Sequence, residues 1–228
     1  MSETYRLYAI KYGHREATRK EHFLGGDPDG ERSMPMDYFV WLAQSDEHTF
    51  VIDTGFAKDI GDARGRHQIR QPAECFRLMG VEAADVRDVI ITHLHYDHIG
   101  TVDDFPNATI HIQRKEVEFV VGPAMLTDAR HAFEPREIDM VVRVHTERGW
   151  VVLASDSSHY YENFEADRPF SIAWEPDRVR AGFRALRALA DSEQHIVPGH
   201  DPMVLDRYPA PSPELQGIAV RLDVMPKG

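Results

Sequence analysis

The sequence predicts an α+β fold because segments with strand character and segments with helix character follow one another in groups. Three segments near the N-terminus are rich in aromatic and β-branched residues and are predicted strands: Tyr5 to Lys11, Asp37 to Leu42 and Thr49 to Asp53. Apolar residues recur at helical spacing in Pro176 to Leu189, which indicates an amphipathic helix that packs on a sheet.

The other elements are predicted from the same two patterns. Helical spacing marks Pro72 to Met79 and Arg114 to Val121. Strand composition marks a hairpin of Val141 to Val144 and Trp150 to Ala154, and then a short strand from His195 to Val197. The sequence shows no internal repeat or long linker, so we predict a single domain over residues 1–228.

Composition narrows the classes of partner. The 228 residues are 42% hydrophobic, enough to bury a sizeable core. The formal net charge of −12 argues against a broad grip on a phosphate backbone, so no nucleic-acid partner is expected. No apolar run approaches the ~20 residues that span a bilayer, so no membrane partner is expected. Cys75 is the single cysteine and the N-terminus lacks a signal pattern, which predicts a cytoplasmic protein.

Potential metal ligands are concentrated in His93-Leu94-His95-Tyr96-Asp97-His98. Imidazole and carboxylate groups without thiolate suit zinc, or less selectively manganese, cobalt or iron. The preceding segment, Asp88 to Thr92, is a predicted buried strand, so His93 and His95 leave it on one side and can bind one ion together. The alternative is a set of solvated surface histidines.

The end of this motif can serve a second ion. Asp97 and His98 follow once the chain has turned, and Gly100 is expected to supply flexibility at that turn. Asp156 closes a predicted strand, where a carboxylate can bridge two cations, although a turn-forming aspartate is the alternative. His200 follows Val-Pro-Gly at the end of another predicted strand, so its imidazole can point into a cleft.

Together these residues resemble the metallo-β-lactamase superfamily, with its His-x-His-x-Asp-His motif, later bridging Asp and last His. The turn Ile52-Asp53-Thr54-Gly55 and the ending Pro198-Gly199-His200-Asp201 extend the resemblance over nearly the whole chain. The N-acyl homoserine lactonase-like branch is the most similar. The resemblance implies an αβ/βα four-layer sandwich, in which two mixed β-sheets pack face to face, helices cover the outer faces and metals lie at one sheet edge.

The resemblance also implies a ligand set for two divalent metal ions, with zinc as first choice and manganese, cobalt or iron as alternatives. His93 and His95 would bind the first metal, and Asp156 would bridge both. The second metal would be bound by Asp97, His98 and His200. Asp53 would support the ligands from behind.

One ligand of the family pattern has no counterpart. The superfamily takes a third His for the first metal from a Gly-His-Thr-x-Gly-like turn before the bridging Asp, but the corresponding stretch here is Glu134 to Met140. His131 is the nearest replacement in sequence, and His145 is expected to be structural. Either the ligand is lost, which predicts weak occupancy or a water in its position, or a segment is missing near residues 138–141.

A second departure follows Asp156. In the lactonase branch a Tyr three positions later polarises the substrate carbonyl, but here that position is His159, followed by Tyr160. A neutral imidazole and a tyrosyl hydroxyl can both donate a hydrogen bond to an oxyanion. His159, Tyr160 and Asp97 are therefore the predicted catalytic residues, with a plain aromatic loop as the alternative.

The resemblance implies a hydrolase that acts on a carboxylic ester bond and opens an N-acyl homoserine lactone or a similar small lactone, which would be quorum quenching. A hydroxide held between the metals would attack the carbonyl, and Asp97 would relay a proton to the leaving alkoxide. The alternatives are a glyoxalase II-like thioesterase and a catalytically degenerate metal-binding module. A small lactone or ester is the expected partner. Acyl-chain preference, and whether the protein is a monomer or a homodimer, stay open.

Overall fold

The computed structural model describes residues 3–120, 141–171 and 175–227, and these contain ten strands and seven α-helices. The strands are β1 (Arg6–Arg15), β2 (Met36–Gln44), β3 (Thr49–Ile52), β4 (His67–Gln68), β5 (Asp88–Ile91), β6 (Thr109–Ile112), β7 (Val142–Thr146), β8 (Gly149–Leu153), β9 (Ile196–Val197) and β10 (Ala219–Arg221). The helices are α1 (Lys58–Ala63), α2 (Pro72–Leu78), α3 (Tyr96–Ile99), α4 (Arg114–Val120), α5 (Tyr161–Glu165), α6 (Pro176–Leu189) and α7 (Met203–Arg207).

The strands form two mixed sheets. The first has the order β10-β1-β2-β3-β5-β6, with β4 paired to β1, and it is antiparallel from β10 to β3 and parallel from β3 to β6. The second has the order β7-β8-β9, in which β7 and β8 form an antiparallel hairpin and β9 runs parallel to β8. Two mixed sheets with helices are the predicted architecture.

Alternation along β1 and β2 gives the first sheet two apolar faces. Leu7 and Ala9 of β1 point into a core shared with the second sheet, whereas Tyr8 and Ile10 point into a core on the other face. β2 alternates in the same way. Side chains on both faces of these strands are buried, so the sheet is covered on both sides.

Helices close the two outer layers. Phe76 of α2 is fully buried against the outer face of the first sheet. Phe183 and Leu186 of α6 are buried in the same core as Val151 and Leu153 of β8. Each of these apolar side chains contributes roughly 1.5–3 kcal/mol when it is fully buried. The order helix, sheet, sheet, helix is that of the predicted sandwich.

The strand and helix predictions agree with the structure, with differences of a few residues at the ends of elements. Three strands were missed, namely β4, β6 and β10, because each is only two to four residues long. His145 lies in β7 opposite Trp150, as expected for a hairpin residue. His131 and the stretch Glu134 to Met140 lie outside the described residues.

Gly100 differs from its prediction. Its backbone is right-handed helical, with φ −64° and ψ −17°, so conformational freedom is not what the position requires. A Cβ atom here would come within 2.8 Å of the Gly55 carbonyl oxygen and 2.9 Å of Phe56 Cα. The glycine is needed because the chain after the histidine motif packs directly against the backbone that follows β3.

Four strand ends position the candidate site. β3 and β5 are parallel neighbours in the first sheet, and β8 and β9 are parallel neighbours in the second. Their carboxyl ends are followed by Asp53, Thr92, Ala154 and Pro198, respectively. In the described part of the chain, no helix combines the length and the apolar character needed to cross a membrane.

Candidate metal centre

The Asp156 carboxylate lies among five imidazoles and divides them into two groups. Oδ1 lies 2.8 Å from His200 Nε2 and 3.3 Å from His98 Nε2. Oδ2 faces the other three, at 3.4 Å from His93 Nε2, 3.5 Å from His95 Nδ1 and 3.8 Å from His159 Nε2. A carboxylate with nitrogen donors on both oxygens has the arrangement of a bridging ligand between two cations.

His98 has one ring nitrogen supported and the other turned toward the site. Its Nδ1 donates to Asp53 Oδ2 over 2.7 Å, and its Nε2 is buried without a hydrogen-bond partner among the described residues. A ligating histidine ordinarily donates its second ring N–H to a carboxylate. The bare Nε2, beside the Asp97 and Asp156 carboxylates, is therefore a donor atom that a divalent cation would satisfy.

Asp53 is held by the strand that carries the motif. Its carboxylate accepts from the backbone N–H of Thr92 over 2.8 Å and from the Thr92 hydroxyl over 2.8 and 3.0 Å. Its φ of 59° lies in the left-handed region, which is uncommon for a residue other than glycine. The fully buried side chain thus reaches His98 from a constrained turn, and the constraint is maintained by three hydrogen bonds.

His200 is oriented by a backbone group that sequence reasoning missed. Its Nδ1 donates to the carbonyl oxygen of Asp37 over 2.9 Å, which leaves Nε2 facing Asp156. The Asp37 N–H in turn donates to the carbonyl of His200. No side-chain signal marks this role, because the acceptor is a main-chain oxygen of β2, 163 residues away along the chain.

Thr92 and Ser155 join the two sheet edges. Their hydroxyl oxygens lie 2.9 Å apart, and the Thr92 hydroxyl is also 3.2 Å from His93 Nδ1. Ser155 has a φ of 47°, and Gly199 packs so closely on its backbone that a Cβ there would lie 2.5 Å from the Ser155 oxygen. The Asp156 carboxylate and the His200 imidazole are therefore brought together by direct backbone contact between the segments that carry them.

Burial and charge set the protonation of the cluster. Burial lowers the pKa of His93 to about 4. Burial also opposes the charged forms of His98 and Asp156, but neighbouring opposite charges outweigh it. For His98 these neighbours are the carboxylates of Asp53 and Asp156. For Asp156 they are the imidazoles of His98, His200 and His93. The pKa of His98 is thus held well above its usual range and that of Asp156 well below. A cation entering the site would displace the His98 proton.

The predicted site residues do not all face this centre. His93, His95, Asp97, His98, Asp156, His159 and His200 lie around it. The Tyr160 hydroxyl instead lies 3.0 Å from His22 Nε2 and 3.3 Å from the Pro35 carbonyl oxygen. Its ring is buried in the core on the outer face of the first sheet, and burial raises its pKa.

Comparison with known proteins agrees with this geometry. Residues 35–140 match the family model described as the metallo-beta-lactamase superfamily. Over this segment the chain is similar to that superfamily. The match covers β2 to α4 and includes the whole His-x-His-x-Asp-His motif, which lies at the candidate centre.

Curated relatives of the chain include N-acyl homoserine lactonases. AttM of Azorhizobium caulinodans is 29% identical over 131 residues, 52% of this chain and 49% of that protein. The chain thus spans about half the length of the first curated relatives it matches. AiiA of Bacillus thuringiensis subsp. kurstaki is 26% identical over 206 residues, which cover 71% of this chain and 81% of AiiA.

Solved structures show the same fold. A quorum-quenching N-acyl homoserine lactone lactonase superposes with a TM-score of 0.68 at 22% identity, covering 88% of this chain and 93% of the other. AidC, a dizinc quorum-quenching lactonase, superposes with a TM-score of 0.63 at 15% identity, covering 88% and 89%. These likenesses establish the metallo-β-lactamase fold for the chain.

Proposed function

We propose that the chain is a metal-dependent hydrolase that opens the ring of a lactone, with N-acyl homoserine lactones as its first candidate substrates. The observation that carries the proposal is the Asp156 carboxylate, whose two oxygens each face a separate set of imidazoles. The lactonase names of the curated relatives support the substrate class. Quorum quenching is the biological role that this substrate class suggests.

The proposed cofactor is a pair of divalent cations, with zinc as first choice. His93 and His95 would hold the first cation, Asp97, His98 and His200 the second, and Asp156 would bridge them. The donor set fits, because the Asp156 oxygens lie 3.3 to 3.5 Å from the nitrogens of His93, His95 and His98, close to the ~3.3 Å expected around a tetrahedral zinc with bonds near 2.0–2.1 Å. His200 Nε2 lies closer, within hydrogen-bond distance at 2.8 Å from Asp156 Oδ1. When bound, two such cations lower the pKa of a water from 15.7 to about 7 and polarise a carbonyl.

The protein groups around the centre would then hold and move protons. In the overall reaction a water oxygen bonds to the carbonyl carbon, the ring C–O bond breaks, and one proton of the water ends on the leaving alkoxide. We assign that transfer to Asp97, whose carboxylate is largely buried and lies 3.9 Å from His98 Nε2. Asp53 and the Asp37 carbonyl keep His98 and His200 in place while this happens.

The oxyanion role predicted for His159 or Tyr160 depends on which of them can reach the centre. His159 Nε2 faces Asp156, whereas the Tyr160 hydroxyl is engaged by His22 and Pro35. We therefore propose that Tyr160 acts indirectly, by supporting the loop that carries His159. A cytoplasmic location stays a prediction, which cell fractionation would test.

Metal analysis and hydrolysis on one purified sample test the proposed function. Two cations per chain and ring opening of short- and long-chain homoserine lactones, followed in a pH-stat, are expected for the wild type. His98→Ala should abolish turnover, whereas His111→Ala, which alters an exposed histidine paired with Asp88, should not. Hydrolysis of thioesters instead of lactones would favour the glyoxalase II-like alternative, and a metal-loaded protein that cleaves neither would favour the binding module.

A further inference from the structure

We propose that His159 is the third imidazole ligand of the first metal site, in place of the histidine that the superfamily takes from a turn this chain lacks. The inference rests on the proposed dinuclear centre and changes the role of one residue in it. It gives the first cation His93, His95, His159 and the shared Asp156, a complete set of four protein ligands.

The first support is the side of Asp156 that His159 faces. Its Nε2 lies 3.8 Å from Oδ2, the oxygen that His93 and His95 also face, and its ring centroid lies 5.4 Å from that of His200. The three distances from Oδ2 to these nitrogens, 3.4 to 3.8 Å, are near the separation of ligands that share one tetrahedral zinc. Among the described residues, His159 is thus an imidazole that can join His93 and His95 on this oxygen.

The second support is the local backbone. Asp156 lies in the 3-10 helix Ser155–Ser157, and the chain is extended at Ser158, so His159 begins the segment directly after this helix. The His159 carbonyl accepts from the His200 N–H over 3.0 Å, which ties this segment to the chain that follows β9. This backbone contact holds His159 beside the Asp156 carboxylate.

The third support is the packing of the ring. The imidazole of His159 stacks on Phe170, with centroids 4.6 Å apart and an angle of 24° between the planes. His159 is 7% exposed and Phe170 is 2% exposed. A buried ring held between an aromatic neighbour and the carboxylate loses little further freedom when it binds a cation, which favours ligation.

The test uses metal content and spectroscopy of full-length variants. His159→Phe keeps an aromatic ring against Phe170 and removes the donor nitrogen, and His159→Ala leaves a space that free imidazole can fill. We expect zinc content to fall from about two to about one per chain in both variants, and imidazole to restore the second equivalent only in His159→Ala. The cobalt(II)-loaded variants should lose the absorption bands of one site. His131→Ala should retain both metals.

X-ray absorption of the zinc-loaded wild type counts the imidazoles without a variant. A third imidazole on the first metal, from His159 or from His131, predicts five imidazoles for two zinc ions, whereas a first metal with two imidazoles predicts four. The variants then show which histidine supplies the fifth. Two metals in His159→Phe with an unchanged cobalt spectrum, or loss of a metal in His131→Ala instead, would overturn the role of His159 and leave the proposed hydrolase intact. A wild type that binds no metal would overturn both.

Discussion

Asp53 Oδ2 lies 2.7 Å from Nδ1 of His98, and both side chains are buried. We expect Asp53→Asn to lower zinc affinity about 10- to 100-fold, since the imidazole loses the carboxylate that orients it and strengthens its other nitrogen as a donor. Competition with a chromogenic chelator measures this affinity.

A second aspartate–histidine pair provides the control for that variant. Asp88 Oδ1 also lies 2.7 Å from an imidazole nitrogen, that of His111, but this pair is exposed on the first sheet. Asp88→Asn should leave zinc affinity unchanged. Equal losses in the two variants would show that support of His98 is not the reason for the effect.

Gly199→Ala should damage stability and the site together. The added methyl would lie 2.5 Å from the Ser155 carbonyl oxygen and 2.8 Å from its carbon, so the ends of β8 and β9 must separate. We expect a loss of about 1–3 kcal/mol in the free energy of unfolding, as for other overpacked positions, and weaker metal binding. Urea denaturation and metal analysis provide both readouts.

Gly182→Ala is the matched glycine variant. Gly182 lies within α6, and a Cβ there meets no atom within 4 Å. The substitution should raise the free energy of unfolding by roughly 0.4–1 kcal/mol, because alanine restricts the unfolded chain more than glycine does. If both variants were equally stable, contact between Gly199 and Ser155 would not be what holds the ends of β8 and β9 together.

An ion-pair network predicts a pH-dependent contribution to stability. Asp27 pairs with Arg19 and Arg168, each over 2.8 Å, and Glu162 pairs with the same two arginines. Hydrogen bonding from Arg19 is the largest influence on Asp27 and holds its pKa well below the usual range. A carboxyl group whose pKa is lowered by folding stabilises the folded state at pH values above its pKa in the unfolded chain, about 3.9. This stabilisation is lost as the pH falls toward the lower pKa of the folded state.

Asp27→Asn should therefore lower the Tm at pH 7. The Tm difference between the variant and the wild type should shrink as the pH is lowered through 4 and below. Glu31→Gln is the control, because the Lys20–Glu31 pair is exposed and contributes little. Thermal unfolding between pH 3 and pH 7 measures both variants. A Tm difference between Asp27→Asn and the wild type that stays constant over this pH range would contradict a stabilising role of the Asp27 ion pairs.

Cys75 should be unreactive until the protein unfolds. Its thiol is fully buried between α2 and the first sheet, and burial raises its pKa to about 12, so little thiolate forms at pH 8. A thiol reagent should modify one group per chain in denaturant and almost none in native buffer. Rapid native modification would show that α2 does not cover this face of the sheet.

The metal motif could be recognised from the sequence because its members are close together in the chain. His93, His95, Asp97 and His98 follow one predicted strand, and the strand and helix patterns around them are local as well. Local periodicity also predicted α6 with its observed ends, Pro176–Leu189. These features depend on residue type and spacing, both of which are visible in one segment.

Contacts between residues far apart in sequence were decided only by the tertiary structure. The division of five imidazoles between the two oxygens of Asp156, and the direction of the Tyr160 hydroxyl toward His22, depend on how two sheet edges meet. The support of His200 by the Asp37 carbonyl involves a main-chain atom that every residue possesses. Sequence alone therefore determined which groups could bind metal, and packing of the two sheets determined which of them face one another.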